Sequence, residues 1–290
     1  MEEKDIEMFR ELMKTQNVTK AADNLFTTQS ALTKRIQKME EDLGCRLFLR
    51  SRRGILPTPA AEAILPDLIA VEQTMKKVRN YAASSAGVIA GTLDVGISIN
   101  YARYRLPTVL KNYMTSYPKV DVHITADQSS ALYRKLCAGE LSIAILRGHF
   151  KWDDGDVLLS EEPVCLVMSK ENQEVSLDSL PYIQRKSDAG FIEKIARWKT
   201  EQGLGSPLSP LQVNDIVTCL SMVKEGIGWA ILPEICLKDF DGYRKPLTFS
   251  DGTVFTRSTH LLYKQDYFEL PQVKLFLKAV LAYEYENASR

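Results

Sequence analysis

The stretch TQSALTKRIQKMEEDLGCRLFLR, residues 28–50, carries apolar residues at helical spacing: Ala31, Leu32, Ile36, Met39 and Leu43. Its leading outward positions carry amide, hydroxyl and basic side chains, whereas its acidic side chains come only at the end. A solvated helix favours the opposite order, because acids at its N-terminus and bases at its C-terminus complement the helix dipole. The inverted order indicates that the leading end faces a partner other than water.

The residues before this stretch predict two shorter helices. The first spans residues 5–15 and places four apolar side chains on one face: Ile6, Phe9, Leu12 and Met13. The second spans residues 18–25 and carries two small alanines, and the turn FTT then leads to Thr28 as a predicted N-cap. Two helices around a short turn, followed by the basic loop 50–57, predict a helix-turn-helix with a wing.

Charge is distributed unevenly along the chain. The 290 residues carry 37 basic and 37 acidic side chains, so a general affinity for polyanions is excluded. Residues 14–56 nevertheless hold nine basic and four acidic side chains, a local excess of five positive charges. This asymmetry predicts a small nucleic-acid-binding module attached to a second, neutral domain.

The cysteines and the N-terminus predict a cytoplasmic protein. Five cysteines form no C-x-x-C pair and are odd in number, which favours a reducing compartment. The opening residues MEEKDIEMF are acidic where a signal peptide is basic, and no apolar run approaches the ~20 residues that span a bilayer.

Residues 58–86 predict one long helix, with Thr58 as N-cap and Pro59 at the first helical position. Apolar residues then recur at alternating spacings of four and three: Ile64, Leu68, Val71, Met75, Val78 and Ala82. Such a heptad seam predicts pairing with the same helix of a second chain. The alternative is an amphipathic helix that covers the core of its own domain. Pro66 is expected to kink or interrupt the helix.

From Leu93 onward, strand and helix patterns alternate, which predicts two α/β lobes, each a parallel sheet wrapped by helices, with a ligand cleft between them. The predicted domains are a DNA-binding domain (1–58), a linker helix and hinge (59–90) and a cleft domain (91–290), whose lobe I is 91–161 plus 266–290 and lobe II 162–265.

The segment TKAADNLFTTQSALTKRIQKMEEDLGCRLFLRSRRG (19–54) resembles the N-terminal signature of the LysR-type bacterial transcriptional regulators. The resemblance continues at LPTVLKNYMTSYP (106–118), LCAGELSIAI (136–145) and VKEGIGWAILP (223–233), so it covers nearly the whole chain in order. The chain departs from the family pattern at Ser30, where the family commonly has proline.

The resemblance implies a winged helix-turn-helix, a dimerising linker helix and a two-lobed α/β effector domain of periplasmic-binding-protein type. It also implies homodimers that assemble further into tetramers, bind inverted repeats and change the bending of promoter DNA when a small molecule enters the cleft. The predicted function is therefore effector-controlled, sequence-specific transcription regulation, not catalysis. The alternative is a ligand-binding or catalytic cleft protein whose N-terminal helices only dimerise.

The leading end of the 28–50 helix is expected to enter the major groove of double-stranded DNA. Gln29 can pair with adenine, Lys34 with guanine, and the Thr33 methyl group with thymine. The resemblance points to the same base readers: Gln29, Ser30, Thr33 and Lys34. Other side chains are predicted on phosphates (Lys20, Thr27, Thr28, Arg35) or in the minor groove (Arg52, Arg53). The alternative is a solvated polar helix.

Polar residues at strand ends and helix starts define the expected ligand cleft: Ser98, Asn100, Tyr101, Gln128, Ser129, Gln184, Arg185 and Asn214. Helix N-termini favour anions, and Arg147 and Arg185 add positive charge, so an anionic effector is predicted. Asp215 leaves an amino acid possible, and the alternative for both arginines is a role as surface groups.

No metal, cofactor or catalytic site is predicted. The histidines His123, His149 and His260 lack metal-ligand spacing, and no phosphate-binding loop or nucleophile elbow appears. Cys219 and Cys236 lie seventeen residues apart, and burial is a better interpretation of them than a redox-sensing pair.

Overall fold

The computed structural model describes residues 2–51, 54–84, 88–204 and 211–288. The chain divides after Ala82 into two compact units, a smaller N-terminal unit and a larger C-terminal unit. The minor-groove predictions for Arg52 and Arg53 lie outside the described residues. Across the described part of the chain, no helix is long and apolar enough to cross a membrane.

The N-terminal unit begins with three helices joined by short turns. They are α1 (Glu3–Thr15), α2 (Val18–Asn24) and α3 (Gln29–Leu43), close to the predicted bounds. Asn17 caps α2, since its side chain accepts the Lys20 backbone N–H at 3.0 Å. Thr28 caps α3 by accepting the Ala31 N–H at 3.2 Å, so the predicted cap is confirmed.

The basic loop is a β-hairpin of β1 (Phe48–Ser51) and β2 (Gly54–Pro57). Gly54 has a φ of 133°, and a Cβ at this position would lie 2.4 Å from the Gln16 carbonyl oxygen, so only glycine fits. The Ile55 N–H donates to the same carbonyl at 3.0 Å. The hairpin is therefore fastened to the end of α1.

One apolar core holds the three helices and the hairpin together. The predicted face of α1 supplies Ile6, Phe9 and Leu12, which are buried, while Met13 packs partly buried against them. The rings of Phe9 and Phe48 lie 5.5 Å apart, which joins the first helix to the hairpin. The predicted apolar face of α1 is thus confirmed, whereas Ala31 and Leu43 of the predicted face of α3 are exposed.

The long helix α4 (Pro59–Ser84) begins where it was predicted, with the Thr58 hydroxyl accepting the Ala61 N–H at 3.2 Å. The predicted interruption at Pro66 is wrong, because α4 continues through that residue. A proline removes one helical hydrogen bond. Packing of the flanking residues Ile64 and Leu65 against the N-terminal core keeps the helix continuous.

The second interpretation of the heptad seam, a helix that covers the core of its own domain, holds for the first half of α4. Leu68 is buried in the N-terminal core, and Ile64 packs against it. Further along the seam, Val71, Met75 and Val78 are 44%, 37% and 61% exposed. The chain's own core therefore explains only the first half of the seam, and the second half is an apolar stripe that this chain leaves exposed.

Nine strands follow in the C-terminal unit: β3 (Gly91–Ser98), β4 (Val120–Asp127), β5 (Ile143–Arg147), β6 (Gly155–Met168), β7 (Ile183–Arg185), β8 (Leu211–Val213), β9 (Ala230–Pro233), β10 (Tyr243–Pro246) and β11 (Thr256–Tyr263) within the described residues. Seven form one sheet in the order β10-β6-β11-β5-β3-β4, with β9 also pairing with β6. The remaining two, β7 and β8, pair in parallel.

The sheet is mixed, which corrects the prediction of purely parallel sheets. The strands β3, β4 and β5 are parallel, as predicted. In contrast, β11 runs antiparallel to both β5 and β6, and β9 and β10 run antiparallel to β6. Part of the difference comes from β11, which was not predicted and lies antiparallel between β5 and β6. The rest comes from the antiparallel pairing of β9 and β10 with β6.

The strands β6 and β11 extend through both lobes. Thr259–Tyr263 pair with β5 in the first lobe, whereas Thr256 pairs with Pro163 near the second. From Thr259 onward, β11 therefore lies beside β5 of the first lobe. The two strands form the connection between the lobes.

Helices cover these strands: α5 (Ile99–Tyr104), α6 (Leu106–Ser116), α7 (Ser129–Cys137), α8 (Ala189–Glu201), α9 (Ile216–Lys224), α10 (Gln265–Phe268) and α11 (Pro271–Ala288). The first lobe's main core joins β3 to α6 and α11, through side chains such as Ile97, Tyr113 and Phe276. The second lobe has separate cores around Trp229 and around Cys219. The cleft lies where β3, β5, β7 and β11 come together.

Candidate DNA-binding face and ligand cleft

The leading end of α3 presents its predicted side chains to the surface. Gln29, Ser30 and Lys34 are exposed, and Thr33 is half-buried with its hydroxyl donating to the Gln29 carbonyl at 2.9 Å. Where the family commonly has proline, the Ser30 hydroxyl lies 3.2 Å from the Thr28 hydroxyl. The start of the helix is therefore hydrogen-bonded without proline.

The predicted phosphate contacts differ in their availability. Lys20 and Thr28 are exposed. Arg35 instead forms ion pairs with Glu2 at 3.0 Å and Asp5 at 3.3 Å, next to α1. Within this chain, the Arg35 guanidinium joins α3 to α1. To bind a DNA phosphate, Arg35 would have to leave the carboxylates of Glu2 and Asp5.

Phe26, in the turn before α3, was missed by the sequence analysis. Its side chain is 99% exposed, and its φ of 51° places a non-glycine residue in the left-handed region. Such backbone conformations are costly for ordinary residues. The turn therefore holds a large aromatic ring in solvent beside the leading end of α3.

Glu40 has a structural role that its position among three acids did not reveal. The carboxylate is buried and accepts the backbone N–H groups of Leu47 at 2.8 Å and Phe48 at 3.1 Å. It also accepts from the Arg46 guanidinium at 2.9 Å. Glu40 thus fixes the first strand of the wing to the end of α3, whereas the neighbouring Glu41 is exposed.

The C-terminal unit contains a cleft that encloses about 560 Å³ of empty space, including its opening to solvent. Seven of the nine predicted ligand residues line it: Ser98, Asn100, Gln128, Ser129, Arg147, Arg185 and Asn214. The sequence analysis did not predict the other lining residues: Ile99, Asp127, Ser130, Lys186, Ser187, Asp188 and Arg257. Both lobes contribute, so the cleft lies between them.

Two predicted cleft residues do not line it. Tyr101 is fully buried in the first lobe's core, and its hydroxyl donates to Glu284 at 2.7 Å. Burial raises the pKa of Tyr101. Gln184 precedes Arg185 on β7, and successive side chains of a strand point to opposite faces. Because Arg185 faces the cleft, Gln184 faces away.

Arg147, at the end of β5, supplies buried positive charge to the cleft. Only 3% of its surface is exposed, and its Nη2 donates to Glu162. Its Nε and Nη1 atoms are buried and have no hydrogen-bond partner among the described residues. A buried guanidinium with unused donors is costly unless a ligand accepts from it. The backbone N–H of Arg147 donates to the Ser129 hydroxyl at 2.9 Å.

Arg185 and Ser98 add further unused polar atoms from opposite lobes. The Arg185 Nη1 donates to the Lys186 carbonyl at 3.1 Å, but its buried Nε has no partner in the described structure. Among those same residues, no carboxylate lies within ion-pair distance of Arg185. The Ser98 hydroxyl is likewise buried without a described partner.

Arg257 is the third cleft arginine and the main residue that the sequence analysis missed. It donates to the Asp188 carboxylate and to the Arg147 carbonyl at 3.3 Å, and it stacks over the Phe191 ring at 4.3 Å. Burial lowers the pKa of the Arg257 guanidinium, while Asp188 opposes that effect. Burial also acts against ionisation of Asp188, but Arg257 outweighs it and lowers the pKa of that carboxyl.

A buried chain of charges lies behind the cleft. Glu162 accepts from Arg147 and from the Ile235 N–H at 3.0 Å, and it lies 3.6 Å from Arg105. Arg105 in turn pairs with Glu284 on α11. Burial raises the pKa of Glu284, with Arg105 opposing. Each of these carboxylates has a cationic partner, so none is left for a ligand.

Asp215 does not face the cleft, which corrects the argument that it accepts an amino group there. It is the N-cap of α9: its carboxylate accepts the Val217 and Thr218 N–H groups at 2.9 Å and 3.0 Å. The Thr218 hydroxyl donates to it as well, at 2.6 Å, and this contact is the main cause of its lowered pKa. Its oxygens are used within the helix.

Thiols and histidines lie outside these two sites. Cys219 and Cys236 are buried, and burial raises the pKa of Cys219 to about 12 and that of Cys236 to about 11. Both are therefore protonated, weakly reactive thiols at neutral pH. Among the described residues, no cluster of three His, Cys, Asp or Glu side chains could hold a metal ion.

A winged helix-turn-helix joined by a long helix to a two-lobed cleft domain defines the class of ligand-responsive DNA-binding regulators. Two family descriptions match the chain: "Bacterial regulatory helix-turn-helix protein, lysR family" over residues 4–62 and "LysR substrate binding domain" over residues 86–284. The chain belongs to the LysR family. It is a DNA-binding transcriptional regulator with an effector-binding domain, so the alternative of N-terminal helices that only dimerise is set aside.

Curated relatives and solved structures agree with this assignment. The chain is 32% identical over 278 residues to the uncharacterized HTH-type transcriptional regulator YraN of Bacillus subtilis, covering 96% of each chain. It is 32% identical over 283 residues to YkuM of the same organism, covering 97% of each. A full-length OxyR variant of Pseudomonas aeruginosa has a similar fold (TM-score 0.65, 19% identity, 98% and 94% coverage). So does full-length CbnR complexed with its target DNA (0.61, 19%, 98% and 100%).

Proposed function

We propose that the chain regulates transcription in response to a small anion that binds in the cleft. The observation that carries this proposal is the set of buried donors without partners on Arg147, Arg185 and Ser98. Buried donors in folded proteins are nearly always hydrogen-bonded, so unused ones facing one cavity indicate a ligand that supplies acceptors. Positive charge on two of the three residues favours an anion.

The proposed response is a change in promoter binding. An operator duplex is first selected from a random DNA pool by the full-length protein, and its affinity is then measured by fluorescence anisotropy. Addition of the cleft ligand, found by thermal-shift screening of metabolites, is expected to shift the binding midpoint or the bend angle of the DNA. If every stabilising metabolite is neutral or cationic, or if none alters DNA binding, the proposal is wrong.

The proposed base readers are Gln29, Ser30, Thr33 and Lys34 on α3. Lys20 and Thr28 are proposed as phosphate contacts on the same face, with Arg52 and Arg53 on the wing. Arg35 is the weakest member of the predicted set, because it is already paired with Glu2 and Asp5. A helix that leads with exposed amide, hydroxyl and ammonium groups suits the donor and acceptor pattern of the major groove.

Replacing Lys34 by alanine should remove discrimination at one base. We expect a loss of about 1–3 kcal/mol on the selected operator and almost none on a duplex altered at the guanine that Lys34 contacts. Anisotropy titrations on both duplexes measure the difference. Lys38→Ala, one helical turn later and also exposed, is the matched control and should weaken both duplexes equally. Equal losses for Lys34→Ala on the two duplexes would reject its role as a base reader.

We also propose a homodimer that pairs through α4 and assembles further into a tetramer. The exposed apolar stripe of Val71, Met75 and Val78 supports the dimer, since soluble proteins rarely leave such a stripe in water. A cytoplasmic location and the lack of enzymatic activity complete the proposal. A DNA-binding regulator acts on chromosomal DNA, and the cleft carboxylate of Asp188 is held by Arg257 instead of being left as a general base.

A further inference from the structure

We infer that the cleft ligand is a compact, non-aromatic oxyanion that presents hydrogen-bond acceptors and carries no ammonium group. This inference rests on the proposed anionic effector and narrows its chemical class. Three observations support it: the polar character of the cleft, the kind of atom left unpartnered, and the state of the acids nearby.

The described lining consists almost entirely of residues with polar or charged side chains. Ile99 is its one hydrophobic residue, and 45% of its surface remains exposed to solvent. Nearby aromatic rings are used elsewhere: Tyr101 belongs to the first lobe's core, and Phe191 packs under the Arg257 guanidinium. Sites for aromatic or lipid-like ligands are lined mainly by apolar and aromatic side chains. The described lining holds no aromatic side chain and one aliphatic side chain, so a ligand without an aromatic ring suits this cleft.

The unpartnered atoms are donors. Arg147 leaves Nε and Nη1 unused and Arg185 leaves Nε unused, and a guanidinium can only donate. The Ser98 hydroxyl can donate to the same ligand. Four buried donor atoms from two lobes therefore belong to residues that line one cavity, and a ligand with several acceptor oxygens can satisfy them together.

The acids of the cleft are already used by the protein. Asp188 pairs with Arg257 and accepts the Phe191 N–H at 3.0 Å as the N-cap of α8. Asp127 accepts the N–H of its neighbour Gln128 at 2.7 Å. Behind the cleft, Glu162 pairs with Arg147. To accept an ammonium group, Asp188 or Glu162 would have to give up its arginine. Asp127 is the one lining acid without a cationic partner among the described residues, and three arginines line the same cleft, so the cleft disfavours amino acids.

The balance of charges in the cleft also disfavours a ligand with an ammonium group. Arg147 and Arg257 are each neutralised by one carboxylate, Glu162 and Asp188 respectively. Within the described structure, Arg185 has no such carboxylate. Its positive charge is one of the smaller causes that lower the pKa of Arg257. Lys186 and Asp127 add one lining charge of each sign, so the cleft with Glu162 keeps one net positive charge, which an oxyanion neutralises and a zwitterion does not.

The test uses three dicarboxylates and one inorganic oxyanion as probes. Succinate carries two carboxylates, aspartate adds an ammonium group to it, and phthalate adds an aromatic ring; sulfate serves as an inorganic oxyanion. Isothermal titration of each into the full-length protein, in chloride buffer of constant ionic strength, gives the order of affinity. We expect succinate or sulfate to bind below 10 mM and at least tenfold more tightly than aspartate and phthalate.

Arg185→Gln tests whether the binding occurs in the cleft. Arg185 is in no ion pair with a described residue, so its replacement should leave the fold intact and weaken the tightest oxyanion about 10–100-fold. Arg134→Gln, an exposed arginine on α7 outside the cleft, is the control and should change nothing.

Two kinds of result would overturn the inference. If phthalate or aspartate binds as tightly as succinate and sulfate, and Arg185→Gln weakens it, the anionic effector stands while its proposed class is wrong. If none of the four probes binds at 10 mM, or Arg185→Gln binds them normally, both the class and the proposed anion site fail.

Discussion

Replacement of Glu40 by glutamine should lower the free energy of unfolding of the N-terminal unit by about 2–4 kcal/mol. The buried carboxylate accepts two backbone N–H groups, those of Leu47 and Phe48, and the Arg46 guanidinium. Both backbone N–H groups donate to the same carboxylate oxygen, Oε1, and a glutamine would replace that charged acceptor by a neutral, weaker one. Its amide NH2 would then face the Arg46 guanidinium, which loses its acceptor. Few single substitutions of a polar residue in this chain should cost as much.

The effect of Glu40→Gln can be measured at the first strand of the wing. Hydrogen exchange followed by mass spectrometry should show faster exchange at the amides of Leu47 and Phe48 in the variant, and anisotropy should show weaker DNA binding. Glu41→Gln removes the same charge one residue later, from an exposed position, and should leave both measurements unchanged. Equal exchange in the two variants would mean that Glu40 does not hold the wing.

Replacement of Val78 by aspartate should dissociate the proposed dimer. In a two-fold symmetric interface every substitution occurs twice, so two apolar contacts are lost and two carboxylates are buried against each other. Loss of the apolar burial alone, at about 1.5–3 kcal/mol for each side chain, raises the dissociation constant by two orders of magnitude or more. Sedimentation velocity over a concentration series measures the change.

Ala70→Asp is the matched control for this prediction. Residue 70 is exposed on the same helix but lies off the seam of Val71, Met75 and Val78. The control introduces the same charge and should leave the dimer intact. A dimer that tolerates Val78→Asp would show that another surface pairs the chains, and the helix stripe would then need a different partner.

Local signals predicted the N-terminal unit well. The caps at Thr28 and Thr58, the apolar face of α1 and the wing are set by residues close together in sequence, and all are present. The continuity of α4 through Pro66 was not predictable in this way. It depends on packing against a core whose members are distant in the chain.

The missed strand β11 shows where local reasoning stops. Its sequence TRSTHLLY mixes charged and polar residues with apolar ones, and its extended form depends on pairing with β5 and β6, each more than ninety residues away. Strand propensity is strongly dependent on such context. Because β11 was not predicted, Arg257 was not recognised as a cleft residue. Its ion pair with Asp188 and the antiparallel pairing of β11 with β5 and β6 were not predicted either.

In the cleft, residue type and position at a strand end identified seven of the fourteen lining residues. For the two predicted residues that do not line the cleft, the position along the element was right, but the side chain points away from the cleft. Tyr101 lies one turn into α5 and points to the core, and Gln184 lies on the wrong face of β7. Sequence gives the position of a side chain along an element more reliably than the side on which it emerges.

The passage of β6 and β11 through both lobes has a mechanical consequence. The lobes are joined by two paired strands, so one can turn relative to the other only by twisting this ribbon. Arg257 lies on the ribbon and lines the cleft, and Glu162, on the other strand, holds Arg147. A ligand in the cleft therefore acts on the pivot itself, where a small displacement becomes a larger one at the far ends of the lobes.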